Sequence, residues 1–102
     1  MVGMRLLFVV GRAQETETVF SLADEMARDS GRIVFLFTGD GCRHAADPEL
    51  VGTLRFAEGI YVLEEDCRSR GLQGRLVEGV EATDYDGWVD LLEACDRVVS
   101  WA

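Results

Sequence analysis

The 102-residue chain contains no lysine, a single histidine and a single proline. Its ten basic side chains are therefore all arginine, and they face 19 acidic ones for a formal net charge of −9. That balance opposes a direct grip on a nucleic-acid backbone, which requires clustered positive charge. The missing lysine also removes the phospho-receiver class. Acids at Asp40, Glu64, Glu65, Asp66, Asp84 and Asp86 resemble a receiver's rim, but such a site needs a lysine and a paired acid straight after the first strand.

Cysteine is scarce as well. Cys42, Cys67 and Cys95 are odd in number and irregular in spacing, which excludes a disulfide framework, and no pair has metal-site spacing. Reduced thiols, a cytoplasmic location and no metal are the expectation. Apolar runs such as Leu6 to Val10 fall far short of membrane-spanning length, and Met1 to Arg5 leads into that run without a cleavage site. Neither a signal peptide nor a membrane segment is therefore expected. Gly11-Arg12-Ala13-Gln14-Glu15 lacks the Gly-x-Gly-x-x-Gly run and the Gly-Lys-Ser/Thr ending of phosphate cradles. No nucleotide held in that style, and no cofactor, is expected.

What is present is a regular alternation of two periodicities. Hydrophobic residues make up 48% of the chain, enough at this length for one core and too few for two, so residues 1–102 are read as one domain. A domain this small often gains stability by associating. Arg5 to Val10 is a continuous apolar run closed by Gly11, the pattern of a strand buried on both faces. From Glu15 to Asp29 the period becomes helical, with Val19, Leu22, Ala23 and Met26 on one stripe and Gly31 placed as a left-handed stop. Ile33 to Thr38 is a second strand, ended by the turn Gly39-Asp40-Gly41. A loop or short helix follows from Cys42 to Phe56, with Pro48 in its first turn.

Gly59 to Leu63 reads as a third strand and Glu64 to Arg70 as a short helix stopped by Gly71. After the loop from Arg70 to Gly79, Val80 to Thr83 is a fourth strand. Asp84 then caps a helix whose inward stripe is Tyr85, Trp88, Val89, Leu92 and Cys95. Arg97 to Trp101 is the last strand, its terminal tryptophan suited to sealing an interface. Strands alternating with helices, and no hairpin signal, predict an α/β fold in three layers. About five strands form an open, mainly parallel sheet with helices on both faces, a flavodoxin-like plan. In such a sheet the ligand crevice lies at the carboxyl ends of the strands, so the loops 11–16, 39–43, 64–66 and 84–87 share one rim.

A cysteine acts as a nucleophile only as thiolate, which requires exposure and positive surroundings. Cys42 is the first candidate, since it follows a glycine turn at that rim beside Arg43 and His44. Cys67 is the second; it sits on a buried stripe near a helix C-terminus, with Arg68 and Arg70 partly offsetting the unfavourable dipole. Cys95 continues the apolar stripe of the last helix and reads as core, and His44 reads as an ornament of a polar loop.

The stretch Tyr61-Val62-Leu63-Glu64-Glu65-Asp66-Cys67-Arg68-Ser69-Arg70-Gly71-Leu72 resembles the DsrH/TusB family of sulfur-relay subunits. So do Gly79-Val80, Asp84-Tyr85-Asp86-Gly87-Trp88-Val89-Asp90-Leu91 and Cys95-Asp96-Arg97-Val98-Val99-Ser100-Trp101, and Asp40-Gly41 sits where that family has an Asp-Gly turn. The resemblance covers roughly the last 60% of the chain well. The start, Leu6-Leu7-Phe8-Val9-Val10-Gly11, lacks the family's Leu-His-Thr and is closer to the related DsrE branch. The resemblance implies a DsrE-like fold and assembly with itself or with DsrE/DsrF (TusD/TusC)-like subunits. It further implies cytoplasmic persulfide transfer, with a small sulfur-carrier protein as a possible further partner, toward tRNA 2-thiouridine or toward sulfur oxidation. Thiol-bearing relatives carry their nucleophile at the start of the third helix, which is about Leu63 here, so that role does not transfer. Two readings of other classes stand beside this one. One is a small-ligand or nucleotide-sensing module using the crevice near Gly11, Gly39 to Cys42 and Asp84; the other is a purely structural homo-oligomer.

Overall fold

The structure, a computed structural model, describes residues 3–102. Met1 and Val2, on which the expectation of no signal peptide partly rests, lie outside the described residues. Five strands, β1 (Arg5–Val10), β2 (Arg32–Phe37), β3 (Gly59–Leu63), β4 (Val80–Thr83) and β5 (Arg97–Trp101), form one sheet in the order β4-β3-β2-β1-β5. Every neighbouring pair is parallel. The central strands β1 and β2 run in register from Arg5 opposite Arg32 to Val10 opposite Phe37. They are apolar on both faces because both faces are covered, as the unbroken hydrophobic runs require.

The two faces are covered unequally. One packs Leu6, Phe8, Val10, Ile33, Phe35, Phe37, Ile60 and Val62 into the main core. Against it lie α1 (Glu17–Arg28), a 3-10 segment (Gly39–Ala46), α2 (Pro48–Thr53) and α3 (Glu64–Ser69), through Val19, Ala23, Cys42, Ala45, Val51 and Cys67. Phe35 anchors this core, with the rings of Phe8, Phe20, Phe37 and Phe56 all within 6.1 Å of its own. Each fully buried side chain of that size contributes about 2 kcal/mol of burial free energy. The opposite face, Leu7, Val34 and Leu36, is met by one helix, α4 (Tyr85–Ala94), through Trp88 and Leu91 with the following Cys95.

Boundaries follow local chemistry. Asp47 caps α2 by accepting from the N–H groups of Glu49 and Leu50, with Pro48 in the first turn as expected. Asp84 caps α4 by accepting from Gly87 N–H at 2.8 Å. The end of α1 differs from expectation in one respect. The left-handed residue is Ser30 (φ +74°), not Gly31, and Gly31 N–H donates to Met26 O at 2.8 Å. Glycine is needed there for space, since a Cβ on Gly31 would lie 2.6 Å from that carbonyl oxygen. Two inward stripes are also corrected. In α1, Leu22 is exposed while Phe20 packs on the core, and in α4 it is Trp88 and Leu91 that turn inward, leaving Tyr85, Val89 and Leu92 exposed.

Candidate functional site

Because all five strands are parallel, their carboxyl ends and the loops that follow them share one rim. Its centre is a polar network between the 3-10 segment and α3. Arg70 Nε donates to Asp40 Oδ1 at 3.0 Å, Arg70 Nη1 donates to Asp66 O at 3.2 Å, and Gly39 N–H donates to Asp66 Oδ2 at 2.7 Å. Gly39 takes φ +51° to make this turn, which is why glycine begins it. Sequence reading placed Arg70 beside Cys67; its role as the tie between Asp40 and Asp66 was missed. The close sequence neighbour concealed a partner thirty positions away.

Cys42 lies beneath this network. It has no exposed surface, and its Sγ donates to Phe37 O at 3.5 Å. Burial pushes its pKa up to about 12, and the nearby Asp66 and Cys67 push the same way, while Arg70 and the Leu63 backbone N–H oppose them. The exposure and lowered pKa expected of Cys42 are therefore corrected. The 3-10 segment turns the thiol inward instead of presenting it at a helix N-terminus. Cys67 is likewise buried, with its pKa raised by burial and by Glu64. Arg68 gives it no offset, because its guanidinium is paired with Glu64 at 2.8 Å. Cys95 is half-buried, and burial raises its pKa too. The structure thus brings Cys42 and Cys67 together with Leu63 behind the rim and keeps Cys95 apart, on the α4 side of the sheet.

His44 is not the polar ornament expected. Its ring packs against Phe20 and Phe37, with centroids 5.3 and 5.4 Å away, and its Nε2 lies 3.0 Å from Arg12 O, to which it donates when protonated there. Burial lowers its pKa from the ordinary 6.5, and the Arg12 carbonyl and Asp47 only partly offset this. Below about pH 6.5 the unfolded chain binds a proton here that the folded chain refuses, so stability falls with pH until the folded pKa is passed. The urea midpoint is expected to be lower at about pH 5.5 than at pH 7, and less so in His44→Gln, whose amide still donates to Arg12 O. An equal drop in both proteins would remove His44 as the cause.

Two recesses flank the network. Adjacent strands β3 and β4 send their connections to opposite faces, α3 to the main core and α4 to the other, and the divergence leaves a crevice of about 230 Å³. Leu63, Glu64, Glu65, Arg68, Asp84 and Tyr85 line it. On the other side Arg12, Ala13, Gln14, Asp40 and Arg43 line an open cleft of about 350 Å³. The loop behind that cleft is held by its own chain. Glu15 sits at φ +56°, a conformation costing about 1–2 kcal/mol outside glycine. Trp101 Nε1 donates to its carbonyl at 3.0 Å, and Arg12 pairs with its carboxylate. Trp101, whose place at the strand end suits it to an interface, thus also holds this loop through its indole N–H. Among the described residues no group of His, Cys, Asp and Glu is placed to hold a metal ion, and no helix is long and apolar enough to cross a membrane.

No curated protein matches the chain. Among solved structures, that of the ychN protein from E. coli is similar with a TM-score of 0.75, over 98% of this chain and 100% of that one, at 10% identity. At so low an identity the likeness concerns the fold alone, and it agrees with the three-layer parallel plan. A family model described as DsrH like protein matches residues 13–98, which include the Asp40–Arg70 network, the residues lining the crevice and the motif from Asp84 to Leu91. The chain belongs to the DsrH-like family.

Proposed function

We propose that this chain is a subunit of a cytoplasmic sulfur-relay complex and takes part by assembling with homologous DsrE/DsrF (TusD/TusC)-like subunits, not by carrying sulfur on a thiol of its own. The observation that carries this reading is the state of the thiols in a DsrH-like chain. All three cysteines have raised pKa values, and the two nearest the rim are buried. Persulfide transfer begins when a thiolate attacks the outer sulfur of a donor persulfide; the donor's S–S bond breaks and the donor leaves as a thiolate. At neutral pH a buried thiol with its pKa near 12 supplies almost none of the attacking species. The position at the start of α3, where thiol-bearing relatives carry their nucleophile, is Leu63, which leaves that step to a partner. A small sulfur-carrier protein then receives the sulfur, on the way to tRNA thiolation or to sulfur oxidation.

The test is intact-protein mass spectrometry after incubation with a cysteine desulfurase and cysteine, alone and with a DsrE-like subunit from the same organism. The expected result is a gain of one sulfur atom on the DsrE-like subunit and none on this chain. A sulfur gained here, and lost in Cys42→Ser or Cys67→Ser, would make this chain a carrier and overturn the reading.

A further inference from the structure

α4 presents two adjoining stripes to the outside. Tyr85, Val89 and Leu92, spaced i, i+4 and i+7, are 52%, 50% and 42% exposed. Asp86, Asp90 and Glu93, with the same spacing, lie about 100° further round the helix. None of these three acids has an ion-pair partner among the described residues. The apolar stripe is not a scatter of single residues. The Tyr85 ring stacks on Trp88, with centroids 6.1 Å apart, so its position is set before anything binds. Val98 of β5, paired with Leu7 in register and thus on the α4 side of the sheet, is also 43% exposed. A preorganised aromatic amid aliphatic side chains is the composition of a binding hot spot.

Charge decides what fits. A two-fold contact through this face would set it against itself. The sequence Tyr-Asp-Gly-Trp-Val-Asp-Leu-Leu-Glu-Ala of α4 contains no basic residue, and the nearby Arg68 is paired with Glu64. The α4 of a second copy therefore brings three more acids and no cation of its own, between molecules each of net charge −9. Like charges brought together at an interface repel and disfavour association. We infer that the α4 face docks a protein subunit of different sequence, whose contact surface is apolar and bordered by arginine or lysine. This rests on the assembly reading above and adds to it the surface and the polarity of the partner.

The experiment measures binding of this chain to DsrE-like and DsrF-like proteins from the same organism, by light scattering and titration at low and high salt. Three variants are compared: Val89→Asp, the triple reversal Asp86→Arg/Asp90→Arg/Glu93→Arg, and Leu22→Asp as a control at another exposed apolar position. All the substituted side chains are at least partly exposed, and circular dichroism with urea midpoints verifies folding. Salt-weakened binding is expected, reduced about thirtyfold or more by Val89→Asp, reduced comparably by the triple reversal, and unchanged by Leu22→Asp. A complex insensitive to both α4 changes overturns the surface while leaving the assembly reading intact. A self-associated chain that Val89→Asp converts to monomer overturns the different-partner conclusion. No complex with either protein overturns the assembly reading and this inference with it.

Discussion

Iodoacetamide at about pH 8 is expected to alkylate Cys42 of the folded chain about a thousandfold more slowly than Cys42 of the urea-unfolded chain. The figure comes from the thiolate population: the folded pKa is about 12 against an ordinary 9.0, roughly three units apart, and each unit below the pKa is tenfold in thiolate. Burial adds to this, because a reagent cannot approach a sulfur with no exposed surface. Cys95, half-buried, should be labelled first and Cys67 with Cys42. Peptide mapping after timed quenching gives the three rates separately. Rapid stoichiometric labelling of Cys42 in native buffer would mean that the Asp40–Arg70 tie opens readily, and would restore Cys42 as a sulfur-carrying candidate.

Gly41→Ala is expected to cost about 3 kcal/mol of stability, at the upper end of the range for overpacking. The added Cβ would lie 2.1 Å from Val10 O and 2.9 Å from Val10 C. That carbonyl accepts from Thr38 N–H at 3.0 Å, in a strand paired on both sides, so it has nowhere to move. The 3-10 segment would have to lift away, and Cys42, the next residue, would lose its cover. Gly52→Ala is the matched control. A Cβ there meets nothing within 4 Å, and in α2 it should be neutral or stabilise by up to about 1 kcal/mol. Urea unfolding of the two variants tests the pair, and equal midpoints would show that the approach of Gly41 to β1 is not tight.

Strands were the most legible part of this chain. β1, β3, β4 and β5 begin and end where the sequence pattern and its glycine or acidic boundaries put them. In β1, covered on both faces, the run from Leu6 to Val10 leaves no room for a polar side chain, whereas the edge strands β4 and β5 leave Glu81, Arg97 and Ser100 exposed. Helix faces were less legible. The period of α1 and α4 is plain, but the phase depends on which stripe meets the sheet. In α4 two apolar stripes compete, Tyr85, Val89 and Leu92 against Trp88 and Leu91, and only tertiary packing chooses between them. The thiols were misplaced for a related reason. A glycine turn followed by arginine and histidine reads as an exposed polar loop, yet a tight 3-10 winding turns Cys42 and Ala45 inward and lays His44 against phenylalanine rings. The Arg70 link between Asp40 and Asp66 spans two connections, and no local pattern announces it.

The uneven coverage of the sheet sets where the molecule opens first. Four segments share the main face, whereas α4 alone shields Leu7, Val34 and Leu36. It does so with a glycine in its first turn and a Trp88 indole N–H that is buried without an acceptor among the described residues. Such a donor costs about 1–3 kcal/mol. Amide hydrogens of α4 should therefore exchange with deuterium through a local opening well below the free energy of global unfolding, ahead of those in β1 and β2. A ligand that holds this helix closed would slow that exchange without touching a single amide of the central strands.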